Sequence, residues 1–196
     1  MQKLENLIPF DGEIFYFPKF LTNLEVDKFF SILIKKIQWQ QPEIKLFGKT
    51  YKVPRLTAWY GDENASYIYS GIKNQPLNWF NELLEIKNKT EMFCNHEWNS
   101  VLVNWYRNGN DSMGWHADDE KELGTNPVIA SVSLGAKRKF LIKHKKQSSI
   151  PISLELENGS LLLMQGDFQH YWVHAIPKQK GIREGRINLT FRKIKL

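Results

Sequence analysis

His116 and Asp118 stand on either side of Ala117 in the run MGWHADDE. On a β-strand alternate residues project to one face, so an imidazole and a carboxylate at this spacing can reach one ion together. A third ligand must come from elsewhere in the chain. His174, in HYWVHAIP, is the candidate, and His170 four residues earlier would share its strand face and compete for the role. Two histidines and one carboxylate on one side of an iron ion leave positions open for a co-substrate and oxygen. Zinc accepts the same donors, so the triad alone does not select the metal. Taken singly, an H-x-D pair is weak, because it recurs by chance and its ordinary reading is a surface turn. The other histidines read plainly, His144 within a basic segment and His96 beside Glu97 in a loop.

The run RINLTFR strengthens the metal reading. As a strand it places Arg186, Asn188, Thr190 and Arg192 on one face and Ile187, Leu189 and Phe191 on the other. The first set would form a polar, cationic row along a pocket, with Asn188 between the two arginines, and the second would pack. Arg186 and Arg192 are about 20 Å apart along such a strand, and long side chains leaning inward could hold a small dicarboxylate between them. Guanidinium groups suit that ligand because they make paired, charge-assisted hydrogen bonds to carboxylate. The plain alternative is a solvated outer face.

The elements that must position these residues follow from periodicity. Thr22 with Glu25 three residues later forms a capping box, and Val26, Phe30, Leu33 and Ile37 follow at helical spacing. A second helix is expected to start at Pro76 and to bury Trp79, Phe80, Leu83 and Leu84 before the polar KNKT segment. From about residue 99 the chain changes character. VLVNWY, VIASVSL, KRKFLIK, ISLELE, SLLLM and RINLTF are short and rich in β-branched or aromatic residues, with turn signals between several of them. The expected fold class is α+β, mainly β: a jelly roll, or double-stranded β-helix, with N-terminal helices packed on its outside. One catalytic domain over residues 1–196 is expected, with its jelly-roll core at 99–196.

Composition bounds the rest. Aromatic residues at 13% and hydrophobic residues at 42% of 196 exclude a wholly disordered chain. One cysteine, Cys94, cannot close an internal disulfide, which favours a reducing compartment. No apolar run is long enough to cross a bilayer and no secretory signal opens the chain, so a soluble intracellular monomer is expected. A net charge of +6 and a pI near 9.3 suit a polyanionic partner, although many lysine-rich proteins are basic without one.

Together NWYRNGNDSMGWHADDE, SVSLGAKRKF, WVHAIP and RINLTFR resemble the AlkB family of oxidative dealkylases in order and spacing. Upstream, LFGKTYKVPR, WYGD and YIYSG are similar to its subgroup that repairs double-stranded DNA, so the likeness runs over residues 44–194. The resemblance implies that His116, Asp118 and His174 hold Fe(II), and that Arg186 and Arg192 bind 2-oxoglutarate with help from Asn104 and Tyr106. It implies O2 as the oxidant and removal of alkyl groups from bases such as N1-methyladenine and N3-methylcytosine in DNA. Formaldehyde, succinate and CO2 would be released. Duplex DNA is favoured as partner, with single-stranded DNA and RNA as further options, and a nucleotide-recognition lid falls within residues 1–98. Phe47 would be a wedge filling the gap left by an extruded base, with Gly48 permitting the turn and Lys49 meeting phosphate. Tyr67 and Tyr69 would line the base pocket, Asp119 would face the base's exocyclic amine, and Arg55 would lie near the DNA backbone.

Departures from the pattern are Tyr69 in place of phenylalanine, Trp105 where arginine is common, and a short basic loop KHKKQSS. Lys143, Lys145, Lys146, Lys178 and Lys180 remain available for phosphates. Rival readings are a dioxygenase acting on RNA, a free nucleotide or protein, a non-catalytic nucleic-acid-binding jelly roll, and a zinc hydrolase. The compartment would be cytoplasm in a bacterium and nucleus in a eukaryote. Phe47→Ala should lower turnover of duplex substrate more than of single strands; an equal loss on both removes the wedge.

Overall fold

Alternation decides where the last strand sends its side chains. Ile187, Leu189 and Phe191 are fully buried in the layer that also holds the helices, and the arginine face looks the other way, between two sheets. The computed structural model describes residues 5–46, 48–65, 67–69, 72–147 and 151–195, with side chains except at 44–46, 67–69 and 72–74. In chain order the first half comprises β1 (Glu13–Phe17), α1 (Asn23–Lys36), β2 (Glu43–Leu46), β3 (Lys49–Lys52), β4 (Leu56–Gly61), β5 (Tyr67–Tyr69), β6 (Ile72–Asn74) and α2 (Asn81–Cys94). The second half comprises β7 (Ser100–Tyr106), β8 (Met113–His116), β9 (Ile129–Gly135), β10 (Arg138–His144), β11 (Ile152–Leu156), β12 (Leu161–Gln165), the one-turn α3 (Phe168–Tyr171), β13 (Trp172–Ile176) and β14 (Arg186–Arg192).

Ten strands make two antiparallel sheets, one ordered β1-β12-β9-β14-β7-β4 and the other β11-β10-β13-β8. β2 with β3 and β5 with β6 form two separate hairpins. β14 is central in the larger sheet, paired with β7 on one side and β9 on the other. Its apolar row packs with Val101, Val103, Val132 and Leu134 against α1 and α2. A second cluster, including Phe140, Ile142, Leu162, Phe168 and Trp172, fills the space between the sheets. The jelly-roll expectation therefore holds, and all six expected C-terminal strands are present.

The helices differ in detail. α1 begins as expected: the Thr22 hydroxyl accepts from the Glu25 N–H, and the Glu25 carboxylate accepts from the Thr22 N–H at 2.8 Å. Phe29, rather than Phe30, takes the fully buried place between Val26 and Leu33. α2 starts at Asn81, not Pro76, because Leu77 is held extended: its N–H donates to Trp59 O and its carbonyl accepts from Gly61 N–H. Trp79 and Phe80 precede the helix, and Leu83 with Ile86 face the core. KNKT lies inside it, where Thr90 returns its hydroxyl to Ile86 O and Lys87 pairs with Glu91 one turn on. Residues 1–98 also carry more than helices and hairpins, since β1 and β4 form the two edges of the larger sheet.

Glu25 joins the two helices, capping α1 while pairing with Lys89 of α2. That lysine, then the Thr22 N–H, hold its carboxyl down from 4.5 to about 2. A depressed carboxylate contributes stability above its unfolded pKa and loses it as pH falls through the folded one. Wild type should therefore exceed Glu25→Gln in urea-derived stability by a constant margin above pH 4.5, shrinking toward pH 2. A margin independent of pH contradicts this.

Candidate metal centre and its cavity

His116, Asp118 and His174 meet between the sheets, each offering a ligand atom within 4.8 Å of the others. His116 and His174 are register partners on β8 and β13, and their rings are 4.2 Å apart. Strand alternation explains the histidines but not the carboxylate. β8 ends at His116, and Asp118 lies in the turn beyond it. Its backbone N–H donates to Oε1 of Gln169, a fully buried side chain on α3, at 2.9 Å. A glutamine 51 residues away thus holds the Asp118 backbone.

Each ligand keeps one atom free. The His116 Nδ1 lies 2.9 Å from Gly114 O, and because a carbonyl can only accept, Nδ1 carries the proton and leaves Nε2 bare. Asp118 accepts from Arg192 Nη2 through Oδ1, and its Oδ2 faces His174 Nε2 at 4.0 Å. His174 is stacked between Phe140 and Phe168, centroids 5.1 and 6.1 Å away. Burial, far above the opposing pull of Asp118, pushes its pKa down to about 3, so the ring is neutral near pH 7. Burial disfavours the charge on Asp118 as well. Arg192, followed by His174 and His116, outweighs it and keeps the carboxyl below its usual range. A neutral imidazole and an ionised carboxylate are the states that bind a divalent cation.

Beyond the triad lies a cavity of ≈120 Å³ lined from both sheets, by Asn104, Tyr106, Met113, Glu120 and the arginine face of β14 among others. Arg186 sits within it at 1% exposure. One nitrogen donates to Ser133 Oγ at 2.9 Å, the guanidinium lies 5.3 Å from the Tyr106 ring centre, and Nε and Nη1 have no hydrogen-bond partner among the described residues. Burial brings its pKa down to about 10, still a cation near pH 7. A buried charge with unmet donors costs several kcal/mol unless an anion joins it. Tyr106 carries a second guanidinium, Arg138, 5.4 Å from its ring. Arg138 is buried and spends its donors on the carbonyls of Asn108, Asp111 and Pro177, pinning the loops beside the cavity.

The remaining expected residues fall as follows. Asn188 is committed to Ser131 and the Val132 carbonyl through Nδ2, so it braces the cavity wall. Arg55 lines the same cavity and donates to Asn104 Oδ1 at 2.7 Å, placing it beside the site's own side chains. Asp119 is exposed and pairs with Lys145 at 3.2 Å. Gly48, at φ +76°, turns the β2–β3 hairpin with open space around it, and Lys49 is exposed. Phe47 lies outside the described residues, as do the side chains of Tyr67 and Tyr69. His170 does not compete as a ligand. It is on α3, exposed, where strand alternation does not apply, and its Nε2 accepts from Asn126 N–H. Gln169, Arg138 and Glu120 were not singled out in the sequence; nothing local marks the first two, whereas Glu120 continues the HADDE run.

A profile described as the 2OG-Fe(II) oxygenase superfamily matches residues 13–192. The human protein named DNA oxidative demethylase ALKBH2 is 37% identical over 182 residues, covering 88% of this chain and 70% of that protein. The chain is an AlkB-type member of this superfamily. The bovine alpha-ketoglutarate-dependent dioxygenase alkB homolog 3 is 41% identical over 186 residues, which cover 90% of this chain and 64% of the relative, so the chain spans under two thirds of that protein's length. The solved structure of OsALKBH1 superposes with a TM-score of 0.65 at 19% identity, over 92% of this chain and 97% of the other, a likeness of fold. The superfamily's iron fits the donor set, and its 2-oxoglutarate fits the unmet donors of Arg186. No helix among the described residues is long and apolar enough to cross a membrane.

Gln169→Leu removes the acceptor that holds the Asp118 N–H. Manganese(II) affinity, measured by anaerobic titration, should fall by roughly 10- to 100-fold, as for other groups that orient a metal ligand; an unchanged affinity contradicts the role.

Proposed function

We propose that this chain is an Fe(II)- and 2-oxoglutarate-dependent dioxygenase that removes alkyl groups from damaged bases in nucleic acid, with DNA as the principal substrate. The observation that carries the reading is the buried, half-satisfied cation of Arg186, one face of β14 away from the His116–Asp118–His174 triad. A dicarboxylate in the cavity that Arg186 and the triad both line would supply the acceptors that Arg186 lacks. A hydrolytic zinc site has no use for that cation.

Iron(II) with 2-oxoglutarate and O2, when bound, supplies the oxidation of an alkyl C–H bond, with succinate and CO2 as coproducts. The chain's own residues do the rest. His116, Asp118 and His174 would hold the ion on one side only. Arg186, assisted by Tyr106 and Asn104, would orient the co-substrate. Phe140 and Phe168 fix the His174 ring and keep water from that side. A methyl group on N1 of adenine or N3 of cytosine becomes hydroxymethyl, which collapses to formaldehyde and the intact base. Such lesions block pairing, so extruding the base is cheaper and selection begins there.

Two features support nucleic acid as substrate: the net charge of +6, and relatives of which one is named for demethylation of DNA. RNA offers the same adenine and cytosine lesions on a ribose in place of a deoxyribose. Purified protein with iron(II), ascorbate and 2-oxoglutarate should restore an N1-methyladenine oligonucleotide with stoichiometric formaldehyde, and His116→Ala with Asp118→Ala should reduce this to background. Full turnover by the double variant refutes the assignment.

A further inference from the structure

β8 is the free edge of the four-stranded sheet, and its alternation separates two neighbours. His116 turns inward to the metal site, and Trp115 turns to the outer face, 41% exposed. Gly114 before it has open space where a side chain would stand. Two other exposed aromatic rings, Phe10 and Phe93, are braced by neighbouring rings. Phe10 packs on His144 and Trp172, and Phe93 on Phe17 and Phe20. Trp115 instead meets a cation: Lys143 of β10 reaches across β13 and sets its ammonium 4.4 Å from the ring centroid. Among the described residues that ammonium faces no carboxylate. Lys146 continues the positive charge from the end of β10 and is exposed, whereas Lys145 beside it pairs with Asp119.

An exposed indole with a cation on its face is the combination that single-stranded nucleic acid uses, the ring offering a π-surface to a base and the ammonium a partner to its phosphate. Its position gives it a target. β8 is an edge strand with His116 lining the cavity and Trp115 exposed one residue away, so a strand that crosses this edge to place one nucleotide beside His116 brings its neighbour to the indole. We propose that Trp115 and Lys143 form a stacking station for an unpaired nucleotide flanking the reacting base. A base inside a duplex has both faces covered by its neighbours, so the station accepts only unpaired strand. This rests on the nucleic-acid reading of the site and narrows it, away from the duplex preference expected from the sequence.

The test is fluorescence polarisation of a labelled, unmethylated single-stranded DNA oligonucleotide on the full chain. Trp115→Ala should weaken binding about 5- to 150-fold, the loss of one stacked base. Trp115→Phe should recover most of it, and Lys143→Ala should lower the salt dependence by about one released counterion. Manganese(II) affinity should stay at the wild-type value, because His116 is untouched. Equal affinity of Trp115→Ala and wild type overturns the station; so does a matching loss on blunt duplex, or a parallel loss of manganese binding. The two readings separate cleanly. Dealkylation by wild type with Trp115-independent binding removes the station and leaves the enzyme, whereas Trp115-dependent binding without any dealkylation removes the proposed reaction and leaves the station.

Discussion

A guanidinium group buried to 1% exposure, with two nitrogens unpartnered among the described residues, is the constraint on which the site depends. Such a group is tolerated only where an anion completes it or where function demands the cost. Around Arg186 the protein has done what a preorganised site requires. The strand that carries it is central in the larger sheet, its opposite face is buried under two helices, and the ring of Tyr106 is clamped between Arg186 and Arg138. The cation cannot swing out to water without moving the core behind it. Its environment selects the ligand rather than adapting to it.

At the other end of the same strand face the charges balance differently. Arg192 neutralises Asp118 directly, and Asp118 keeps its second oxygen toward His174. Arg192 takes Oδ1, so Oδ2 would remain for a metal held with His174. His174 is kept neutral by burial and held by stacked phenylalanines, and His116 is oriented by a carbonyl on its own strand. Positional control comes from packing on one histidine, a hydrogen bond on the other and Gln169 on the Asp118 backbone.

Much of this was legible in the chain. The strands from residue 100 onward carry local alternation and turn chemistry, and the two-faced character of RINLTFR foretold both the core and the cavity. Strand alternation points to Asp118 but does not place it: β8 ends at His116, and the Asp118 backbone is held by the hydrogen bond its N–H donates to Gln169, 51 residues away. That bond leaves no local signature, and neither do the carbonyl contacts of Arg138. The late start of α2 has the same origin, because Leu77 pairs with β4 and tertiary pairing overrides the helix preference of Pro76. β1 and β4 were missed since edge strands acquire their pattern from the sheet they join. Resemblance places Arg55 near the DNA backbone, and the contact it makes in the structure, to Asn104, has no local signature.

The central claim is that Arg186 is built for a dicarboxylate, and thermal denaturation with manganese(II) tests it most directly. Saturating 2-oxoglutarate, at about 100 times its dissociation constant, should stabilise the wild-type protein by about 2.7 kcal/mol beyond manganese alone. In Arg186→Met the manganese increment should persist and the 2-oxoglutarate increment should vanish. Equal stabilisation of both proteins by 2-oxoglutarate would show that the buried guanidinium is not its seat.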